Sequence, residues 1–467
     1  MEEGEDTVLA FRRLAWSIVL ALFVFALVGT GSAVYAQELV TLRAWTIGPD
    51  TPAFYRAENL KLAAERLNKI LEAAGADVRV EVEADFWTES WDSYRRRAIL
   101  AFESGDPNAI PDIINSSHLD IPTWAAAGWI VPMDPYIERY WDMTYQDFFP
   151  HLWDSVTYAG QRWGVPQDIE VRMVFYRKDH LKALGWTDED IADLPRRVRD
   201  KEFTLQDLVE LGKQLRDAGV SEWPILHRPT AGPDFFQFVV AYGGEYEDPA
   251  TGKLVLDRDA VLETLRFFQT LTQQERLTPP GMTSWAWPTV HRSLVVDGTA
   301  SVQITGGMWN WAEWQRDLGV SEDYLFENIT FTLIPAGNDD GRPNQAGQPQ
   351  AYMITRASQH KDLAALLITL ASAVDLNTNH ALEGAKLAIR RSQTAFPVFA
   401  ESTYLSMAAT LVPDQIFLPA HEATGFYNSA LYEAIGAVEA GMLRPEQALQ
   451  ELERRLRSQL GDDLIVK

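Results

Sequence analysis

Cysteine is absent from the 467-residue chain. This absence excludes disulfide bonds, thiolate metal sites, a cysteine nucleophile and a lipid attached at a cysteine. The HExxH, GxSxG, P-loop and EF-hand spacings, which mark common metal, hydrolase, nucleotide and calcium sites, are missing as well. The eight histidines are scattered without metal-ligand spacing. We therefore expect no required metal and no cofactor.

Positive charge is scarce. The chain has 41 Lys and Arg against 66 Asp and Glu, which gives a formal net charge of −25. Nucleic acids and anionic lipids require a basic footprint, and this composition does not supply one. A strongly acidic surface does favour solubility. We expect no nucleic-acid partner, and the segment after residue 36 has no apolar run long enough to span a membrane.

The N-terminal segment has the pattern of a secretory signal peptide. Arg12 and Arg13 precede an apolar run at 14–28, and the small side chains of Val34 and Ala36 follow. The run is shorter than the roughly 20 residues that span a bilayer. We predict a signal peptide over residues 1–36 with cleavage after Ala36, and a periplasmic or secreted protein. An uncleaved membrane anchor is the alternative.

Apolar periodicity predicts alternating strands and helices. The strand patterns fall at 40–47, 78–86, 110–114, 173–178, 223–227, 301–305, 329–335 and 351–356. The helical patterns fall at 53–74, 91–102, 119–127, 204–218, 233–242, 257–273, 361–374 and 424–459. Thr204 has the character of an N-cap, with Asp207 in the first turn of its helix. This alternation predicts an α/β protein, and about 430 residues after the leader imply two or three domains.

Several segments resemble, in order and spacing, the extracellular solute-binding proteins that feed ABC importers. The resemblance is to the large carbohydrate-type class, which includes the maltose-binding proteins. The segments are IPDIINSS and AAAGWIVPMDPYI (110–137), RWGVPQDIEVRMVFYRKDHLKALGW (162–186), FTLQDLVELGKQL (203–215), VAYGGEYEDPATGKLVLD (240–257), LVVDGTASVQITGGMWNW (294–311) and AYMITRASQHKDLAALL (351–367).

The resemblance implies a two-lobed periplasmic binding protein fold of type II. Mixed or parallel sheets flanked by helices would form discontinuous lobes joined by a hinge. Lobe one would comprise 38–171 and 336–396, and lobe two 172–335 and 397–467. The chain would cross between lobes near 171–175, 329–335 and Pro397. A monomer that holds a small molecule in the cleft and delivers it to membrane permease subunits is the expected function, without enzymatic activity.

An aromatic platform is expected at ITGGMWNWAEW (304–314). Aromatic faces pack against the C–H face of a sugar ring, and polar side chains pair with its hydroxyls. Trp309 matches the family's cleft tryptophan behind a Gly-Gly turn, and glycine there lets the backbone approach a ligand. Trp311 is a second candidate, whereas Trp314 is expected to pack a helix. The alternative for Trp309 is a packed interdomain residue.

Polar candidates follow the predicted strands. Asp168, Glu170 and Arg172 alternate along QDIEVR, so they could share one strand face and line the cleft floor, or form an inter-lobe salt-bridge set. By resemblance, Asp50 and Glu170 match acidic positions of the family's cleft. The other candidates are Ser117, His118 and Tyr427, with weaker claims from Gln167, Arg228, Trp285, Trp287 and Phe426.

The expected ligand is a mono- or oligosaccharide. Ser116 stands where maltose-binding proteins carry a tryptophan, which does not support maltodextrin specificity. A non-sugar solute is one alternative, because Arg172 and Arg228 could meet a phosphate of a polyol, the carboxylates could meet a polyamine, and relatives with this architecture also bind peptides. A secreted glycoside hydrolase is the other alternative, although nothing marks its pair of catalytic acids.

Overall fold

The structure is a computed structural model that describes residues 38–48 and 53–467. The predicted signal peptide and the candidate Asp50 lie outside the described residues.

Fifteen strands are present in the described part of the chain. They are β1 (Glu38–Ile47), β2 (Val78–Trp87), β3 (Ile113–Ser117), β4 (Thr157–Tyr158), β5 (Gln161–Arg162), β6 (Val165–Asp168), β7 (Arg172–Arg177), β8 (Ile225–Leu226), β9 (Leu254–Leu256), β10 (Val302–Gly307), β11 (Ile329–Thr332), β12 (Gln345–Gly347), β13 (Gln350–Ile354), β14 (Gln415–Phe417) and β15 (Leu464–Val466).

Twenty α-helices surround these strands in the same residues. They are α1 (Tyr55–Ala73), α2 (Trp91–Ser104), α3 (Ile121–Ala126), α4 (Asp134–Arg139), α5 (Pro150–Ser155), α6 (Lys178–Ala183), α7 (Asp188–Arg199), α8 (Leu205–Asp217), α9 (Phe236–Ala241), α10 (Arg258–Gln269), α11 (Trp287–Val295), α12 (Asn310–Leu318), α13 (Glu322–Asn328), α14 (Lys361–Ala371), α15 (Val374–Gly384), α16 (Arg391–Thr394), α17 (Pro397–Ala400), α18 (Thr403–Ala409), α19 (Thr424–Glu439) and α20 (Pro445–Leu460). None of them is both long and apolar enough to cross a membrane.

Two sheets organise the chain. The first has the order β2-β1-β3-β13-β6, with β1 parallel to β2 and β3, and β13 antiparallel to β3 and β6. The second has the order β11-β7-β10-β8, with β7 antiparallel to both neighbours and β8 parallel to β10. Strand β7 is buried along its whole length because it lies inside this sheet with helices around it. The α/β prediction is confirmed, and both sheets are mixed.

The chain passes directly from one sheet to the other. Strand β6 ends the first sheet at Asp168, and β7 begins in the second sheet at Arg172, so residues 169–171 form the connection. A small parallel pair, β12 with β14, joins two distant parts of the chain. The short strand β12 lies within the Gly-, Asn- and Pro-rich segment 336–349, which carries no strand pattern. A strand of three residues is too short to show a period.

Two helical predictions need adjustment. The helix predicted at 361–374 ends at Ala371, and α15 begins at Val374. The segment predicted as helical over 424–459 is two helices, α19 and α20, separated by a turn in which Gly441 has a positive φ of 67°. A left-handed glycine ends a helix at a point where the apolar periodicity of the sequence continues.

The predicted N-cap at Thr204 is confirmed, because its hydroxyl accepts from the Asp207 amide at 3.3 Å and Asp207 accepts from the Thr204 amide at 2.8 Å.

We expect Thr204→Ala to lower the free energy of unfolding by about 1 kcal/mol, because it removes the acceptor for the first turn of α8. Urea denaturation followed by circular dichroism measures the change. Thr204→Ser keeps the hydroxyl and is the matched control, with a loss close to zero. Equal losses in both variants would show that the capping hydroxyl contributes nothing.

Candidate ligand site between the two sheets

The two sheets meet at edges formed by strand ends. In the first sheet, Gln350 at the start of β13 pairs with Ser117 at the end of β3 and with Asp168 at the end of β6. In the second sheet, Gly307 at the end of β10 pairs with Arg172 at the start of β7. Since 169–171 connect these edges, the end of β3 and the end of β10 face the same crossing. Ligands of open α/β sheets bind at such carboxyl ends.

Asp168 anchors the crossing to the first sheet. Its carboxylate accepts from Arg56 Nε at 3.1 Å and Nη2 at 2.7 Å, and from His380 Nε2 at 2.9 Å. Burial opposes ionisation, but Arg56 and the His380 hydrogen bond outweigh it and hold the pKa of Asp168 well below its ordinary value. Burial lowers the pKa of His380, so the ring is neutral near pH 7 and donates to Asp168. All partners of this carboxylate come from the protein, which makes it a structural anchor.

Glu170 lies at the middle of the crossing and is shared by two cations. Its carboxylate is 2.5 Å from Lys386 Nζ and 3.2 Å from Arg172 Nη2. Arg172 also lies 3.4 Å from the carboxylate of Asp234, and Asp234 pairs in turn with Arg228. These five side chains form an alternating series of cations and anions. The predicted trio therefore divides, with Asp168 held by one set of partners, and Glu170 and Arg172 by another.

Trp309 lies against this ionic series. Its ring centroid is 5.1 Å from the guanidinium carbon of Arg172 and 4.9 Å from Lys386 Nζ. The indole is half-buried, whereas its neighbours in the ionic series at the crossing, Arg172, Glu170 and Lys386, are buried. A Cβ on Gly307 would come within 2.0 Å of the indole, so only glycine lets the ring lie over this backbone. The structure thus places an aromatic face where two sheet edges and two cations meet.

Gln348 links the first sheet to the ionic series. Its amide nitrogen donates to Ser117 Oγ at 3.0 Å, and its amide oxygen accepts from Arg172 Nη2 at 2.8 Å. Ser117 and His118 are both fully buried beside it. Burial lowers the pKa of His118 to about 4, although the carbonyls of Pro349 and Leu418 favour its charged form. A neutral His118 is therefore available as a hydrogen-bonding group at neutral pH.

Two of the predicted aromatic residues have the contacts of core residues. Trp311 is 2% exposed and stacks on Tyr404 with ring centroids 4.4 Å apart. Tyr427 is 1% exposed, packs against Phe236 and donates its hydroxyl to the Val255 carbonyl at 3.2 Å. Neither presents a free face, because other side chains cover both rings. Packing explains both positions.

The weaker candidates lie in different surroundings, and only one of them belongs to the ionic series. Arg228 belongs to the ionic series, and its guanidinium carbon lies 5.6 Å from the half-buried ring of Trp287. Trp285 packs against a small separate core cluster. Phe426 lies under Arg455, at 5.8 Å from the guanidinium carbon. The buried side-chain amide of Gln167 has no hydrogen-bond partner among the described residues.

Sequence reasoning missed five residues of the site, which are Arg56, Asp234, Gln348, His380 and Lys386. They lie in helices, turns and a loop without a pattern that marks them. One signal was available. Carboxylates on a buried apolar strand, such as Asp168 and Glu170, require cationic partners from elsewhere in the chain. In the described residues, no group of His, Asp and Glu has the arrangement of a metal site.

We expect Asp168→Asn to destabilise the protein by about 3–5 kcal/mol, because it leaves Arg56 buried without its charge partner. Urea unfolding near pH 7 measures this loss. Asp375→Asn is the matched control. Asp375 pairs with Arg66 with both side chains substantially exposed, and its loss should be about 0–1 kcal/mol.

The difference between wild type and Asp168→Asn should also depend on pH. The folded pKa of Asp168 lies below the unfolded value of about 3.9, so the stabilisation is complete above about pH 5 and is lost as the pH falls below about 4. A difference that stays constant from pH 7 to pH 3 would contradict the ionised pair.

Comparison with known proteins identifies the family. Residues 55–374 match the family described as bacterial extracellular solute-binding protein. A lactose-binding protein of Rhizobium radiobacter is 25% identical over 175 residues, which are 35% of this chain and 39% of that protein. The match thus spans about two-fifths of the curated relative.

Solved structures agree on the fold. The GacH receptor of Streptomyces glaucescens, described without ligand and with acarbose, has a TM-score of 0.71 at 17% identity, covering 91% of this chain and 99% of the receptor. Maltose-bound MalE3 of T. maritima has a TM-score of 0.71 at 18% identity, covering 91% and 100%. These likenesses show the two-lobed fold of periplasmic binding proteins. Since the family match covers more than half of the sequence, the chain belongs to the bacterial extracellular solute-binding protein family.

Proposed function

We propose that this protein is the substrate-binding component of an ABC importer and holds a saccharide in the cleft between its two sheets. The observation that carries the proposal is Trp309, a half-buried indole at the meeting point of two sheet edges, with polar groups around it. The family and the fold support the binding role. The names of the relatives, which include lactose, acarbose and maltose as ligands, support a carbohydrate.

The two sheets are the centres of the proposed lobes. Lobe one comprises 38–171 and 336–396, and lobe two 172–335 and 397–467. This division is supported by the strands, because every strand of the five-stranded sheet falls in lobe one and every strand of the four-stranded sheet in lobe two. Residues 169–171 and the pair of β12 with β14 join the lobes. Short extended connections of this kind absorb the backbone rotation of a closing hinge.

The ligand would contact both lobes at the crossing. The Trp309 face would pack against the C–H face of a sugar ring. Gln348, Ser117 and the ionic series would meet its hydroxyls, with Asp50 as a further predicted contact. A saccharide that touches groups of both lobes binds the closed form better than the open form, and this difference in affinity is what drives closure.

The remaining features of the proposal rest on the family and on the signal-peptide pattern of residues 1–36. The protein acts outside the cytoplasm, free in the periplasm or secreted after removal of residues 1–36, and the closed form docks on membrane permease subunits. It carries out no reaction on the ligand. The carboxylates at the crossing support this, because Asp168, Glu170 and Asp234 are all held in ion pairs and none is poised as a free general acid.

A thermal-shift panel on the purified protein tests the function. It would contain mono- and oligosaccharides, polyol phosphates, polyamines and amino acids. A ligand at 100 times its dissociation constant adds about 2.7 kcal/mol of stability. We expect the stabilising compounds to be saccharides that are recovered intact. Stabilisation by polyol phosphates, polyamines or amino acids alone, or recovery of a cleaved saccharide, would contradict the proposal.

We expect Trp309→Ala to weaken binding of the saccharide found in the panel by about 2 kcal/mol or more, because the aromatic contact to the sugar ring is lost. Isothermal titration calorimetry measures the change. Trp141→Ala is the control, because Trp141 is a partly exposed indole that packs on Trp153 instead of the ionic series. Unchanged affinity in Trp309→Ala would remove Trp309 from the site.

A further inference from the structure

The ionic series at the crossing begins and ends with a cation. Its order is Lys386, Glu170, Arg172, Asp234 and Arg228, and each carboxylate lies between two cations. Three positive charges therefore face two negative charges. The negative charge of Asp168 does not alter this count, because it is balanced by the positive charge of Arg56. Within this series of five side chains, positive charges exceed negative charges by one, in a chain whose overall charge is −25.

Four of these five side chains are shielded from water, and Arg228 at the end of the series is partly exposed. Lys386 is 3% exposed, and Glu170, Arg172 and Asp234 are buried as well. A buried charge without a full counter-charge is unfavourable, because the surroundings replace its hydration poorly. An anion that entered the site would restore the balance and would be bound more strongly than in an exposed position. The local excess thus favours a negatively charged ligand.

The backbone holds Lys386 in place beside the aromatic platform. Ala385 ends helix α15 in the left-handed conformation with a φ of 46°, which is unusual for a residue with a Cβ. The next amide, Leu387 N, donates to the Ile169 carbonyl at 2.9 Å, which ties this turn to the crossing. The ammonium group of Lys386 consequently reaches both Glu170 and the ring of Trp309.

The ammonium group has capacity for a further acceptor. An ammonium carries three donors. In the described residues, Glu170 is the one side chain that accepts from Lys386 Nζ. A sugar ring stacked on Trp309 would place its substituents near this ammonium and near the Arg172 guanidinium, since both lie about 5 Å from the indole centroid.

We propose that the ligand is an acidic saccharide, whose ring bears a carboxylate or a phosphate, and that Lys386 selects for the acidic group. This inference rests on the proposed function, because it assumes that a saccharide binds at the crossing. Trp309 supplies the apolar contact to the ring. Lys386 supplies the charge-assisted hydrogen bond, and Arg172 adds to the positive potential. A neutral saccharide would leave the excess charge without a counter-ion.

Paired ligands test the inference with the wild-type protein. Calorimetric titration would compare glucose, glucuronate and glucose 6-phosphate, then galactose, galacturonate and galactose 6-phosphate, and neutral and acidic oligosaccharides. We expect the acidic members of at least one set to bind about tenfold or more tightly than the neutral member, the range expected of one charge-assisted hydrogen bond. The uronate and phosphate arms identify which acid is recognised. Neutral members that bind as tightly as the acidic ones would overturn the inference and leave the proposed function intact.

Failure of the proposed function has a different signature. If no saccharide of either kind binds while another class of compound does, both proposals fall together. If a neutral saccharide binds and its acidic analogue does not, only the acidic selectivity is wrong. The ionic strength provides an internal check, because added salt should weaken binding of the acidic ligand more than that of its neutral analogue.

Substitutions at Lys386 test the assigned residue. Lys386→Met removes the charge but keeps an unbranched apolar stem, and it should weaken acidic-ligand binding about tenfold or more beyond any loss for the neutral analogue. Lys386→Arg keeps the charge and should retain most of the selectivity. Lys213→Met, at a partly exposed lysine paired with Glu210, controls for the change in overall charge. Equal losses for acidic and neutral ligands in Lys386→Met would overturn the role of Lys386, and the wild-type comparison decides the ligand class if that variant does not fold.

Discussion

The shared carboxylate of Glu170 is the interaction on which the site depends. It lies on the three-residue connection between the two sheets and holds Lys386 and Arg172 at the same time. Both cations lie within about 5 Å of the Trp309 indole, so the position of the aromatic platform and the position of the charges are set together. Asp168, two residues earlier, fixes the same connection to α1 through Arg56 and to α15 through His380. The crossing is therefore defined by side-chain charges as much as by backbone pairing.

Buried ion pairs do not make a fold stable by themselves, because the desolvation of both charges offsets much of their attraction. Their effect here is on geometry. Arg172 contacts Glu170, Asp234 and Gln348, and so it can occupy few alternative positions. The apolar cores on either side, such as Trp314 packed at 4.8 Å from Phe175, hold the sheets that carry these groups. Two rigid sheets joined by the short, charged connection at 169–171 are suited to a ligand site that both proposed lobes form together.

The sequence predicted the local structure of this frame better than its assembly. Strands β1 and β2 and the cap at Thr204 follow from short-range pattern and capping chemistry. The antiparallel insertion of β13 between β3 and β6 does not, because pairing between strands about 180 to 240 residues apart leaves no periodic trace. Trp311 was predicted as a second platform residue, but it lies three residues from Trp314 in α12 and its ring is covered by Tyr404. Lys386 was not predictable, because its position depends on a left-handed turn at an alanine.

Whether the ligand binds at Trp309 between the two sheets can be measured directly. The experiment is a crystal structure of the complex with the saccharide that stabilises the protein most. We expect a sugar ring on the Trp309 face at the crossing, in contact with side chains from both sheets. A ligand bound away from 169–171, or one that touches a single lobe and leaves Trp309 uncovered, would contradict it.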